Sequence, residues 1–131
     1  MKKTTLLHSD LSYIVATLGH LDMLVIADAG LPIPSETVRI DLALTKGIPG
    51  ATQTLKVVLE EMKVEKVILA EEVKSHNPTF LADVQELLPD VPVEFVPHLE
   101  LKTRTASARA VVRTGEFAPY ANVILVSGVV F

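Results

Sequence analysis

Residues 18–34 read LGHLDMLVIADAGLPIP, and within them Met23-Leu24-Val25-Ile26-Ala27 has no polar face at all. An apolar run this short, bounded by turn-forming residues, reads as a strand covered on both sides. A histidine, His20, precedes the run and an aspartate, Asp28, closes it, followed by a loop of Gly30, Pro32 and Pro34. Covered strands belong to sheets with helices on their faces, so the neighbouring segments should be helical.

They are. Upstream, Leu11, Ile14, Val15 and Leu18 are spaced i, i+3, i+4, i+7, which predicts a helix capped by Ser9 or Asp10 and closed by Gly19. Downstream, Val38 to Leu44 alternates as a strand, and Thr52 to Met62 has helical spacing through Leu55, Val58 and Leu59. Lys66 to Ala70 is a further strand, and Asn77 with Pro78 opens a helix to Leu88, where Pro89 and Pro92 stop it. Val91 to Val96, Arg109 to Arg113 and Asn122 to Val126 read as strands, with a short helix from His98 to about Thr105. The alternation predicts a single-domain three-layer α/β/α sandwich over residues 1–131, with a mainly parallel sheet of about six strands. The close spacing of Met23 to Leu44 and of Arg109 to Val126 adds an expectation of antiparallel pairing within each pair.

Composition agrees. The chain has 131 residues, 49% of them hydrophobic but only 5% aromatic, so the core must be aliphatic. Sixteen acidic against 12 basic residues give a formal charge of -4, and no basic cluster offers a surface to nucleic acid or an anionic membrane. The apolar runs are far below the ~18 residues of a membrane helix, and His8 and Asp10 break up any signal-peptide pattern, so the cytoplasm is expected. No cysteine is present, which excludes disulfides and thiolate chemistry and fits a reducing compartment. The four histidines are scattered with no two at ligand spacing, so no metal site is expected.

Phosphate-binding loops, dinucleotide fingerprints and serine-hydrolase elbows are missing. The polar residues instead gather where strands begin or end. Asp28 follows the first strand, where α/β sheets usually hold ligands, although a loop aspartate in an Asx turn has the same pattern. His20 is either a functional imidazole or a turn residue at a helix end. Tyr120 and Asn122 stand two apart and share one face if extended, whereas the plainer reading packs the tyrosine and ends a turn with the asparagine. His98 and Lys102, at i and i+4, share a helical face that is otherwise simply solvated. Arg113 and Glu116, around Gly115, are expected to form an ion pair. His8 and His76 are expected in loops at the surface, and Glu60, Glu61, Glu71 and Glu72 at solvated ends.

At about 3.3 Å per extended residue, the strand between His20 and Asp28 separates them by roughly 20 Å. A site using both needs either a sharp return of Gly19–Asp22 or a second subunit. The apolar carboxyl end, Gly128-Val129-Val130-Phe131, suits burial in such an interface.

The stretches LGHLDMLVIADAGLPIP, RIDLAL, GIPG, AEEVKSHNP, RTGEFAPYAN and the terminal GVVF occur in an order that resembles the D-ribose pyranase family, relatives of the L-fucose mutarotases, across essentially the whole chain. The fucose-acting branch of that family reads closer to DANFP where this chain has DAGLP, which favours ribose. The resemblance implies that His20 is the general acid, that Asp28 and His98 bind sugar, that Tyr120, Ala121 and Asn122 line the same pocket, and that Lys102 joins them. It implies interconversion of β-D-ribopyranose and β-D-ribofuranose by ring opening and reclosure, without a cofactor. It further implies a homodecamer of two stacked pentamers with sites between subunits. The alternatives left open are a mutarotase for L-fucose or another aldose, and a noncatalytic sugar-binding or regulatory protein.

Overall fold

With no polar face, Met23–Ala27 must be covered above and below, and it forms a strand, β1, in which Leu24, Val25, Ile26 and Ala27 are fully buried. The computed structural model describes all 131 residues. Helix α1 (Ser9–Thr17) precedes β1; β2 (Val38–Asp41), α2 (Ala51–Leu59), β3 (Val64–Ala70), α3 (Val73–His76), α4 (Pro78–Leu87), β4 (Val93–Val96), α5 (His98–Arg104), β5 (Ala110–Arg113) and β6 (Val123–Ser127) follow. A single 3₁₀ turn, Thr105–Ser107, links α5 to β5.

The six strands make one sheet in the order β2-β5-β1-β6-β3-β4. Three of its five pairings are parallel, β2 with β5, β5 with β1, and β3 with β4. Strand β6 is antiparallel to both its neighbours, β1 and β3. Five strands therefore run one way and β6 alone runs the other.

Alternate residues of each strand feed two cores, as a pleat of period two requires. Leu24, Ile26, Val67, Leu69, Val123 and Leu125 face α1, α2 and α4, packing with Leu11, Leu55, Val58, Phe80 and Val84. Val25, Ala27, Ile68, Val111 and Ile124 face the opposite way, against Leu101 of α5 and Leu31 of the loop after β1. Helices thus lie on both sides of the sheet in three layers, as the sequence predicts. Each buried leucine contributes about 1.5–3 kcal/mol relative to exposure, so the aliphatic core needs few aromatics.

Antiparallel pairing is present, but not within the two expected pairs. Strands β1 and β2 are not neighbours, because Leu31 and Ile33 pack on the second face and return the chain along the sheet to start β2 parallel to β5. Strands β5 and β6 are separated by β1, because the chain after β5 crosses the exit of β1, where Thr114 N–H donates to Ala27 O at 3.0 Å and Ala29 N–H to Glu116 O at 2.8 Å. Strand β2 stops at Asp41, an edge strand with only Ile40 buried, and Leu44 is exposed. The cap of α1 is His8, whose Nδ1 accepts from Leu11 N–H at 3.3 Å; Ser9 and Asp10 lie inside the first turn. Gly19 does not take a left-handed conformation, and Leu21, at φ 69°, makes the turn into β1 instead. The one-turn α3 has no sequence signal, since four residues cannot show helical periodicity.

Candidate sugar site at one edge of the sheet

Because β1 to β5 share a direction, the segments after β1, β3, β4 and β5 emerge at one edge, and the reversed β6 begins there. That edge collects Asp28, the Glu71–Asn77 turn, His98, the Thr114–Pro119 loop and Tyr120 to Asn122. These residues surround a cleft of about 760 Å³ whose lining includes Asp28, His98, Lys102, Arg113, Glu116 and Tyr120.

Asp28 is held from three directions. Its backbone N–H donates to Asn122 Oδ1 and Asn122 Nδ2 donates to its Oδ2, both at 2.9 Å. Gly30 N–H donates to its Oδ1 at 3.0 Å, which is the Asx turn of the plainer reading. The turn does not use up the carboxylate, because each oxygen keeps a lone pair after these bonds. Asn122 is completely buried and does not itself line the cleft. Ala121, also buried, packs in the main core.

The loop after β5 supports Asp28 from beneath. Thr114 Oγ1 donates to Ala27 O at 2.7 Å, and Arg113 Nε donates to Ala29 O at 3.0 Å. Arg113 pairs with Asp41, at 3.1 Å, and not with Glu116 as the sequence spacing suggests. Their positions on paired strands explain this: Asp41 and Arg113 are register partners on β2 and β5. Glu116 instead collects backbone N–H groups, from Phe117 at 3.0 Å, Ala118 at 2.9 Å and Ala51 at 3.3 Å. Gly115 between them admits no side chain, since a Cβ there would stand 2.6 Å from Ile48 O.

The opposite wall is aromatic. The Tyr120 ring lies between two imidazoles, 5.0 Å from His98 in an edge-on arrangement and 5.1 Å from His76 at a tilt. His98 opens α5 with its backbone N–H donating to the Glu72 carboxylate at 3.0 Å, so Glu72 is not the solvated end its sequence position suggests. Burial foremost, and then Lys102 one turn along α5, push the His98 imidazole below its usual pKa, against the weaker pull of Glu72 and Asp28. Its Nδ1 is buried with no hydrogen-bond partner. A neutral imidazole beside a carboxylate, a phenol and an ammonium group offers both donors and acceptors to a polyhydroxylated ligand.

Of the residues singled out from sequence, Asp28, His98, Lys102 and Tyr120 come together in the cleft. His20 lies apart, at the edge where β1 begins, in a second depression of about 440 Å³ with Met62, Gly128 and Phe131. There its Nε2 is 2.9 Å from Glu65 Oε2, with the His20 side chain exposed and that of Glu65 half-buried. The protomer makes no sharp return that would bring His20 to Asp28. Sequence reading missed Glu72, His76 and Asn77 as parts of this edge. Their place directly after the covered strand β3 was the available signal, since parallel strands deliver their carboxyl ends to one side. No group of three His, Asp or Glu side chains is arranged to hold a metal ion, and no helix is long and apolar enough to cross a membrane.

Residues 1–130 match the model of the RbsD / FucU transport protein family. A D-ribose pyranase of Chloroflexus aggregans is 57% identical and one of Clostridium botulinum 55% identical, each over 131 residues and 100% of both chains. The structure of Bacillus subtilis RbsD complexed with D-ribose superposes with a TM-score of 0.97 at 49% identity, covering 100% of both chains. A fucose mutarotase of Streptococcus pneumoniae in complex with L-fucose shares the fold, with a TM-score of 0.78 at 23% identity over 95% of this chain and 94% of that one.

Proposed function

The chain belongs to the RbsD / FucU family, and from that premise we propose that it is an isomerase of D-ribose, interconverting β-D-ribopyranose and β-D-ribofuranose. The observation that carries the reading is the anchored Asp28 carboxylate, with spare lone pairs, facing a cleft shared with His98, Lys102 and Tyr120. The full-length likeness to D-ribose pyranases, and to a protein solved with D-ribose, supports reading that polar cluster as the sugar site.

Ring opening needs a proton delivered to the ring oxygen while the anomeric hydroxyl loses one, leaving the open-chain aldehyde. Attack of the C4 hydroxyl on that aldehyde, with the proton movements reversed, closes the five-membered ring. Imidazole transfers protons near neutral pH without a large shift, which suits His20 as the general acid. Asp28 accepts hydrogen bonds from sugar hydroxyls, and neutral His98, Lys102 and Tyr120 orient the rest. The backbone at Ala121 and the buried Asn122 hold that wall in place. The steps consume no redox equivalent and transfer no phosphate, so no cofactor is assigned.

Since His20 and Asp28 lie at opposite edges of the sheet, the complete site is assembled between protomers in this reading. A homodecamer of two stacked pentamers is the proposed assembly. Exposed Phe117, Val130 and Phe131 give each copy apolar surface to bury at such contacts. A cytoplasmic location goes with the reading, as free ribose there is the substrate and the furanose is what a sugar kinase would consume.

Saturation-transfer NMR on D-ribose tests the proposal. Added protein should accelerate exchange between pyranose and furanose signals. Binding without acceleration would make it a sugar-binding protein, and faster exchange on L-fucose than on ribose would make it a mutarotase of the other branch.

A further inference from the structure

Tyr120 takes a left-handed backbone conformation, with φ at 56°, although it is neither glycine nor asparagine. Such a conformation is costly for a bulky residue and persists only where its surroundings impose it. A side chain from outside the loop bonds the residue just before Tyr120. Asn77 Nδ2 donates to the carbonyl oxygen of Pro119, the residue before Tyr120, at 2.8 Å. The other end of the same side chain is also committed, with Oδ1 accepting from Phe80 N–H at 3.1 Å as the cap of α4. The two bonds fix the amide's orientation, because a flipped amide would satisfy neither. Asn77 is itself buried. Its neighbour His76 supplies the second ring against Tyr120, with its own Nδ1 held 3.1 Å from Glu72 O. Glu72 in turn receives the His98 backbone N–H. One short turn after β3 thus supplies one of the rings beside Tyr120, His76, and anchors the backbone of the other, His98.

We propose that Asn77 is a positioning residue of the sugar site, holding Tyr120 in its strained conformation so that the phenol stands between His76 and His98 at the cleft wall. This rests on the ribose-isomerase reading above. Asn77 touches no substrate; it acts through Pro119 and Tyr120.

The test is Asn77→Asp. Aspartate is as good a helix cap as asparagine, so α4 keeps its start, but the donor to Pro119 O is replaced by an oxygen that repels it. Two readouts are taken on the full-length protein: the half-saturating D-ribose concentration against the maximal exchange rate, and the NOE between the Tyr120 and His98 rings without sugar. The expected result is loss of the NOE and a half-saturating concentration raised about tenfold, with the maximal rate changed by less than about threefold. If Asn77→Asp does not fold, Asn77→Ser keeps a capping oxygen without the reach to Pro119 and is read the same way. A lower melting temperature with the NOE and half-saturation unchanged would overturn the proposal, since that is all a helix cap alone would do. Loss of the NOE is read without sugar, so it stands apart from the ribose reading, which fails instead if the unmutated protein accelerates no exchange.

Discussion

Asp28 and Asn122, 94 positions apart in the chain, are joined by two hydrogen bonds of 2.9 Å that use both ends of the asparagine amide. They meet because β1 ends where its antiparallel neighbour β6 begins. The buried asparagine thereby ties the carboxylate to the one reversed strand of the sheet, and the site inherits the rigidity of the core.

Replacing that asparagine tests the tie. In Asn122→Ala the Asp28 N–H loses its acceptor inside the protein, a loss of about 1–3 kcal/mol in unfolding free energy. Urea titration measures it. Ribose exchange at low sugar should fall further than stability does, because the carboxylate, left with only the Gly30 N–H, is held less firmly. A variant with wild-type exchange would show that the orientation of Asp28 is immaterial.

Protonation of His98 supplies a second prediction. Its folded pKa lies below the ordinary 6.5, with burial as the main cause. In the unfolded chain the ring binds a proton more readily, so unfolded molecules hold more protons and stability rises with pH in this window. The contribution is complete above about 6.5 and is lost as pH falls through the folded value. The charged groups around the ring are Lys102, Glu72 and Asp28, and only Lys102 among them pushes in the same direction as burial. Melting temperatures compared at pH 7.5 and 5.5 should drop more in the wild-type protein than in His98→Gln, which cannot titrate. Equal drops would mean that His98 is not the group responsible.

His20 should behave in the opposite manner, with function lost and stability kept. Its side chain is about half exposed and its only partner, Glu65, is partly exposed, so the contact contributes little. His20→Ala should change unfolding free energy by less than about 0.5 kcal/mol. Ribose exchange should fall by about 10²–10⁴, the usual worth of a general acid. Undiminished saturation transfer in this variant would remove the histidine from the chemistry.

The sequence makes most of the architecture legible because the core is aliphatic and strictly periodic. Met23–Ala27 can only be a covered strand, and Leu55 and Val58 mark their helix by spacing. Asp28 is legible for a physical reason as well, since a polar residue closing a covered strand has to emerge at the strand's carboxyl end. Strand order is not written locally: whether β5 pairs with β6 or passes over β1 depends on Thr114 and Glu116 finding the backbone of Ala27 and Ala29. The support around Tyr120 is hidden for a similar reason, because Asn77 and Pro119 are 42 positions apart and the asparagine looks like an ordinary helix cap. The link between His20 and Asp28 is hidden more deeply still. One protomer keeps them in separate depressions, so the shared site proposed for them would have to be built from two chains.

That relation makes a complementation experiment decisive. Asp28→Ala removes the carboxylate from one edge and His20→Ala the imidazole from the other, so each variant alone should be inactive as an assembly. If every site takes His20 from one protomer and Asp28 from its neighbour, random co-assembly in equal amounts restores both groups at about one quarter of the sites. Denaturing the two variants together and refolding them should therefore regain about a quarter of the wild-type exchange rate, whereas mixing the folded proteins should regain none until subunits trade places. Light scattering on the same samples reports the molar mass, so failure to assemble is told apart from failure to complement. Full-sized mixed oligomers without activity would mean that the two residues do not serve one site, and ring opening would then need an acid from the Asp28 cleft itself.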